Sequence, residues 1–538
     1  MPATLSRRNF FNLINPSANL APPSKTKRGF QPLSDPLTPF VPDSNNPWNE
    51  YLAGHLLRRT MMAPTWSDIE ALVALGDPGK AVDLLLGATS NPSAPGAAND
   101  QTEDPNGPDV SNQTLRSSIL GKLAGDAGSL RGWWVNLQIQ ASNSIQEKMG
   151  VFWSGHFTTQ FDLGNESDVV APLLYRQNEL FRQNGLGNFK DLVKAITLDG
   201  AMLIFLGGDQ NIAAAPNENY ARELMELFTC GLGGGYTEAD VQAGARILSG
   251  WKSPEFTQED AQKGIFVPFF FPQNHDVGDK TYLETDFPAI PQGSNSEANA
   301  QAEITKMIDT LFAYTANAIA TFISTKLYKF FVYSDSDTSD STEQTVISEM
   351  ANMFMQDWEI KPVLSALLKS QHFFDNVNIG AQIKTPAEYA IGIARQLGYS
   401  SGSVDGAMTT DNEQFFQPPN VSGWPGYHDW LTTNTYPART SEQAQTLVNG
   451  MSAQDLQTFY QQFPAYNVDV TQLATQIGQL LLPRPLSAAR LQNFWQALAG
   501  GSQESAWINL VNSDPEEAAS NLKNLLNTII ALPDFQLC

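Results

Sequence analysis

One segment of the sequence concentrates residues that could do chemistry. Pro216 and Asn217 form a typical helix start, and polar side chains then recur every three or four residues. This spacing places several polar residues on one helix face, namely Asn219, Arg222, Glu223 and Glu226. In a cleft, Glu223 or Glu226 would serve as a base or metal ligand, and Arg222 would hold an anionic group. On a solvated surface, an ion pair between Arg222 and Glu226 would explain the same pattern.

The chain contains five histidines, so few imidazole groups are available for proton transfer or metal binding. His156 stands in an aromatic segment, which suits a packed core as well as a pocket wall. His275 and Asp276 are adjacent in a predicted loop, where they could bind a metal or transfer a proton. A turn formed by Asp276 would explain that pair equally well. His55 precedes Arg59 by one helical turn, a spacing also typical of a helix-surface pair.

Two tryptophans are candidates for shaping a pocket. Trp153 precedes His156 in the same aromatic segment. Trp424 lies in residues 418–426, a loop that three prolines make rigid. Both rings could stack on a sugar or a peptide, although Trp424 could equally plug the core.

The two cysteines point to no redox or zinc chemistry. Cys230 and Cys538 do not form a CxxC motif, which excludes a zinc site built on such a pair of thiolates. We predict that Cys230 is a small buried residue and that Cys538, the last residue, is mobile.

Taken together, these segments resemble the DUF1800 family, bacterial proteins of unknown function. The similar segments occur in one order over roughly residues 48–440, at residues 55–60, 147–157, 217–229, 236–251, 275–280 and 418–425. The resemblance favours one shared site, because three of the histidines fall inside these segments beside the polar helix. The chain departs from the family at Ser154, where members often carry a second histidine. A mechanism that needs that histidine would be absent here.

The secondary-structure elements that would position these candidate residues are mostly helices. Apolar periodicity over most of the chain predicts a mainly α fold, a multi-helical globular array with one small β-hairpin near residues 264–284. Within that range, residues 264–271 and 280–283 are expected to pair. Residues 1–47 predict an N-terminal arm, residues 48–440 a helical domain with a surface insertion at 87–112, and residues 441–538 a C-terminal helical extension.

Charge and targeting signals narrow the partners. The formal net charge of −24 makes nucleic acid an unfavourable partner, because like charges repel. No apolar run is long enough for a transmembrane helix. Residues 6–11 look like a twin-arginine export motif, although a weak apolar region follows them. We therefore expect a periplasmic or extracellular protein, with a cytoplasmic location as the alternative; resemblance to the family also favours export.

Two functions fit these observations. The first is an exported enzyme, hydrolase-like or metal-assisted, in which a divalent metal ion is a candidate cofactor and a glycan or peptide a candidate substrate. Its predicted catalytic residues are Glu223, Glu226, His156, His275 and Arg222, with Asn219, Asp276, His55, Trp153 and Trp424 as binding residues. The alternative is a non-catalytic cell-envelope protein with a binding or structural role. One open cleft shared by His156, Glu223 and His275 would favour the enzyme, and separate paired networks would favour the alternative.

Overall fold

Helices dominate the structure, a computed structural model, and confirm the predicted mainly α class. It describes residues 35–93, 95, 128–161, 171–253, 268–291, 293–335, 341–398, 404–501 and 503–538. The predicted export motif at residues 6–11 and most of the predicted insertion at 87–112 lie outside the described residues. Among the described helices, none combines the length and apolar composition that crossing a bilayer requires.

The first half of the described chain is a series of short helices, most of which start at a polar cap. Asn49, Thr65 and Asp77 each accept a hydrogen bond from the first turn of the helix that follows. The helices are α1 (Glu50–Thr60), α2 (Trp66–Ala74), α3 (Pro78–Gly87), α4 (128–140), α5 (Gln146–His156), α6 (Ala171–Asn184), α7 (Phe189–Thr197), α8 (Gly200–Phe205), α9 (Glu218–Glu226) and α10 (Glu238–Ile247).

Two small antiparallel strand pairs follow α10. Strand β1 (Trp251–Lys252) pairs with β2 (Phe269–Phe270), and β3 (Lys280–Tyr282) pairs with β4 (Thr285–Phe287). The predicted small hairpin is therefore present, but it lies at 280–287. The predicted pairing with 280–283 is wrong for Phe269 and Phe270, which pair with β1, and residues 264–267 lie outside the described residues. A two-residue turn, Leu283 and Glu284, connects β3 to β4, and both residues have positive φ. Because this tight turn brings β4 next to β3, β3 pairs with β4 and not with the distant β2.

The second half contains the longest helices and the C-terminal group. The helices are α11 (Glu297–Tyr314), α12 (Ala316–Phe331), α13 (Ser341–Asp357), α14 (Ile360–Lys369), α15 (Pro386–Leu397), α16 (Val404–Thr410), α17 (Thr435–Pro437), α18 (Ala444–Asn449), α19 (Ala453–Gln461), α20 (Val470–Leu481), α21 (Ala488–Leu498), α22 (Ser505–Ser513) and α23 (Pro515–Ile530). A π-helical turn, Ala438–Gln443, joins α17 to α18.

Contacts cross the predicted boundary at residue 440. The Trp66 and Phe463 rings lie 5.2 Å apart, and Arg58 donates to the carbonyl oxygens of Gln479 and Leu480. The C-terminal helices and α1 therefore share one continuous apolar core.

The prediction that Cys538 is mobile is wrong. Its backbone N–H donates to the Gln382 carbonyl at 2.8 Å, and its side chain is buried. The thiol sulfur accepts from the Arg59 guanidinium at 2.7 Å. Backbone hydrogen bonding to the segment before α15 and burial therefore hold this residue in place. The predicted burial of Cys230 is confirmed.

Candidate functional site

On the polar face of α9, Arg222 forms ion pairs with neighbouring glutamates. Arg222 donates to Glu218 at 3.1 Å and to both carboxylate oxygens of Glu238, at 2.5 and 2.9 Å. The expected ion pair with Glu226 does not form, because Glu238 at the start of α10 offers a bidentate partner. Asn219 is exposed and donates to the Leu206 carbonyl oxygen.

Glu223 and Glu226 are half-buried. Burial and then the neighbouring charge of Glu226 raise the pKa of Glu223 above its usual range, because both disfavour the carboxylate. Among the contacts of the described residues, none joins either glutamate to a histidine. Their catalytic roles stay predictions.

His275 belongs to a second, separate network. Its Nδ1 lies 2.8 Å from the Ser249 carbonyl oxygen, and its Nε2 lies 3.1 Å from the Glu303 carboxylate. Lys280 pairs with the other oxygen of Glu303 at 2.8 Å. The His275 ring and the Lys280 ammonium therefore both face the Glu303 carboxylate, in a group with little exposure to solvent.

Asp276, next in the chain, fills the role of a turn residue with an arginine partner. Its carboxylate accepts the Gly278 N–H at 2.9 Å and two hydrogen bonds from Arg246. Burial alone would raise the pKa of Asp276, but Arg246 and Gly278 hold it below its usual range. These bonds support the interpretation of Asp276 as a turn residue.

His55 is a buried residue of the core. Its Nε2 lies 3.1 Å from the Phe373 carbonyl oxygen, and its ring centroid lies 4.7 Å from the Phe373 ring. Burial, assisted by the positive charge of Arg59, lowers the pKa of His55 to about 3, so the imidazole is neutral. The possibility of an exposed His55–Arg59 pair is excluded because both side chains are buried.

His156 ends α5 and forms a third network, with Lys326 of α12. The Lys326 ammonium donates to His156 Nδ1 at 2.9 Å, and His156 Nε2 donates to the Phe228 carbonyl oxygen at 3.0 Å. Burial and Lys326 lower the pKa of His156 well below its usual range, so the ring is neutral. Burial also lowers the pKa of Lys326 to about 8. The segment 217–229 therefore contacts this network just after α9, where the Phe228 carbonyl accepts from His156 and the Leu227 carbonyl accepts from Lys326. The end of a helix favours a positive charge such as the Lys326 ammonium.

His156 and Lys326 line a pocket of about 280 Å³ between α5, α12, the start of α15 and residues 422–430. Its other charged lining residues are Lys329, Glu388 and Glu413. Aromatic rings form much of the remaining wall, contributed by Phe152, Phe330, Trp424, Tyr427 and Trp430. Concave sites with a few polar groups among aromatic rings are the usual form of small-molecule sites.

Glu388 is the ionised carboxylate of the pocket. It closes the capping box of α15, where the Thr385 N–H donates to it at 2.8 Å. It is ion-paired with Lys148 and lies 3.9 Å from the Arg59 guanidinium. Burial would raise the pKa of Glu388, but Lys148 and Arg59 together hold it below its usual range.

Glu413 is also buried, but unlike Glu388 it has no positively charged ion-pair partner in the described structure. Its carboxyl accepts the Ala387 N–H at 2.7 Å but makes no ion pair within the described part of the chain. Burial, together with the nearby charge of Glu388, raises the pKa of Glu413 to about 7. The two glutamates therefore differ in protonation at neutral pH: Glu388 is ionised, whereas Glu413 is roughly half protonated because the pH is then close to its pKa.

The loop that bears Trp424 is pressed against α5. Gly423 has φ of +82°, and a Cβ there would lie 2.6 Å from the Gly155 carbonyl oxygen. This close approach places Trp424 against Gly155, one residue before His156. Trp153, by contrast, is fully buried and donates to the Gly185 carbonyl oxygen, so it belongs to the core.

Replacing Gly423 with alanine should destabilise the protein by about 1–3 kcal/mol, because the new Cβ meets both an unfavourable φ and the Gly155 carbonyl. Thermal unfolding measures the loss. Gly406→Ala is the matched control, since a Cβ there meets no atom within 4 Å inside α16. Equal melting temperatures for the Gly423 variant and the wild type would show that the loop does not depend on this contact.

Sequence reasoning missed Lys326, Lys329, Glu388 and Glu413. The Thr385 and Glu388 pair has the spacing of a capping box, a local signal that places a carboxylate at the start of α15. Lys326 and Glu413 carry no such signal. Among the described residues, no group of three histidine, cysteine, aspartate or glutamate side chains is arranged to hold a metal ion.

Comparison with known proteins extends the resemblance seen in the sequence. The family model described as a protein of unknown function, DUF1800, matches residues 55–537. The match continues past residue 440 and so includes the C-terminal helices. No curated protein and no solved structure matches the chain.

Proposed function

Because the chain belongs to the DUF1800 family, whose description assigns no activity, we propose its function from the pocket beside His156, as a hydrolase-like enzyme that uses acid–base chemistry. The observation behind this proposal is the pair of buried glutamates. Their surroundings push the pKa of Glu413 up to about 7 and that of Glu388 down. Carboxyl pairs separated in this way are typical of an acid and a base in one site.

In the proposed reaction, protonated Glu413 gives its proton to the leaving atom as the scissile bond breaks. Water adds its hydroxyl group to the other product, and its remaining proton goes to the Glu388 carboxylate. Lys148 and Arg59 keep Glu388 ionised before the reaction. The neutral His156 has both ring nitrogens engaged, and so it positions the Lys326 ammonium at the pocket wall.

The aromatic wall supports a glycan or a peptide as the substrate. Trp424, Tyr427 and Trp430 offer flat faces, which stack on sugar rings and on peptide groups. The proposal includes a periplasmic or extracellular location, which the arginine pair Arg7 and Arg8 supports and which fractionation of host cells would test.

In the described structure His156 and His275 lie in separate networks, neither of which includes Glu223, and this separation favours a non-catalytic binding or structural role. A second observation favours that role too. Glu388 and Glu413 each accept a backbone N–H at the start of α15, from Thr385 and Ala387. A carboxylate in that place stabilises a helix start without any chemistry. The two functions differ in whether removal of both carboxyl groups changes turnover.

A panel of chromogenic glycosides, esters and peptide amides, assayed with the wild type and a Glu388→Gln, Glu413→Gln double variant, tests the proposal. We expect one substrate class to be hydrolysed by the wild type alone. Its rate should fall as pH rises through about 7, because Glu413 then loses the proton it donates. Identical rates for both proteins on every class would favour the non-catalytic role.

A further inference from the structure

The pocket carries an excess of positive charge within a strongly acidic protein. The whole chain has a net charge of −24. Yet Lys326 and Lys329 line the pocket beside Glu388, whose charge Lys148 already balances. Glu413 carries only part of a negative charge near neutral pH, since its pKa is about 7. Lysines gathered in a concavity attract anions, because low-dielectric walls focus their field.

The two lysines are placed to act together. Lys326 and Lys329 are three residues apart on α12, so they share a helix face. Lys326 is held by His156 and the Leu227 carbonyl, both of which are uncharged. Within the described residues, Lys329 makes no ion pair. Neither ammonium group is therefore neutralised by a carboxylate that the structure describes.

A second observation also indicates a missing oxygen ligand. The Trp424 indole N–H is buried at the pocket wall and has no hydrogen-bond partner among the described residues. A buried donor without an acceptor is unfavourable, by about 1–3 kcal/mol. An oxygen atom of a bound ligand would satisfy it.

We propose that the pocket recognises its substrate through an anionic group, a carboxylate or a phosphate, bound by Lys326 and Lys329. This inference rests on the proposed function for the choice of pocket, but ligand binding is measured without turnover. The aromatic wall formed by Trp424 and Tyr427 would hold the uncharged part of the same ligand.

Isothermal titration of the full chain with glucuronate, inorganic phosphate and glucose tests this inference. We expect saturable binding of an anion, with glucose at least about tenfold weaker, a difference of about 1.4 kcal/mol. Tighter binding of glucuronate would identify an acidic sugar as the ligand class, and tighter binding of phosphate would identify a phosphorylated ligand.

Charge variants assign the binding to the pocket. Lys329→Gln should weaken anion binding about tenfold, whereas Lys329→Arg, which keeps the charge, should restore most of it. Lys361→Gln is the matched control, because Lys361 is an exposed lysine on α14 outside the pocket. Absence of saturable binding for both anions, or equal affinities for the Lys329→Gln variant and the wild type, would overturn the inference.

The outcomes also separate this inference from the proposed function. Anion binding that depends on Lys329, without any hydrolysis, would refute the proposed enzyme activity and support the anion site. Hydrolysis that depends on Glu413, but not on Lys329 or on the charge of the substrate, would support the enzyme activity and refute the anion site.

Discussion

Replacing Glu413 with glutamine is expected to lower hydrolysis by about 10²–10⁴-fold, the usual contribution of a positioned general acid. Glutamine preserves the volume of the side chain and can still accept the Ala387 N–H, but it has no proton of suitable acidity to donate. Steady-state rates on the substrate found in the panel measure the effect. Glu70→Gln, an exposed glutamate on α2, is the control for the same charge change. Equal rates for the Glu413 variant and the wild type would exclude Glu413 as the acid.

The same variant should be more stable than the wild type in alkaline solution. Folded Glu413 keeps its proton up to a pKa of about 7, whereas an unperturbed glutamate has a pKa of 4.5. Between these values the folded state binds more protons than the unfolded state, so the free energy of unfolding falls as pH rises. Glutamine removes that loss. Thermal unfolding should show the variant more stable by roughly 1–3 kcal/mol above about pH 7, and equal to the wild type near about pH 4.

Replacing Arg439 with methionine should destabilise the protein by about 3–5 kcal/mol, the usual effect of leaving one member of a buried ion pair alone. Arg439 donates to Asp411 at 2.9 Å, with the two side chains 0% and 1% exposed. It also donates to the Lys384 carbonyl oxygen, which links this pair to the segment before α15. Loss of the arginine leaves the Asp411 carboxylate with Gln443 as its remaining side-chain partner in the described structure.

An exposed pair provides the comparison. Arg490 and Asp534 lie 3.0 Å apart but are 42% and 39% exposed, so Arg490→Met should cost less than about 1 kcal/mol. Denaturant unfolding of both variants measures the difference. A second change, Asp411→Asn, should recover part of the loss in the Arg439 variant, because it removes the stranded charge. Similar stabilities for the two arginine variants would show that Asp411 is neutral or hydrated in the folded protein.

Local patterns in the sequence predict where most helices and strands lie, but they do not predict which distant residues contact each other. The start of α9 at Asn217 follows from neighbouring residues, and so does the strand character of residues 280–282, although their partner at 285–287 is not predicted. The partner of Phe270 does not, because Trp251 lies across a long segment and nothing in the spacing selects it. The burial of Cys538 likewise depends on contacts with Gln382 and Arg59, which no local pattern reveals.

The candidate site shows the same division. His156 and Trp424 were both singled out by residue type, and the structure brings them to one pocket. Lys326 lies 170 residues from His156, and Glu388 lies 240 residues from Lys148. A lysine or a glutamate on a helix has no distinguishing feature until its burial and its neighbours are known. For that reason the polar face of α9 drew attention that the pocket residues did not.

The reach of helix α1 has a consequence for how the protein is made. His55 bonds a residue 318 positions later, and Arg58 a residue 422 positions later. At about 5–20 residues per second of synthesis, α1 waits roughly 20–90 s before its partners near Leu480 leave the ribosome. The part of its surface that packs against α20 stays uncovered during that time, and contacts between such distant residues form slowly. We therefore expect the nascent chain to be prone to aggregation at this surface until α20 is made.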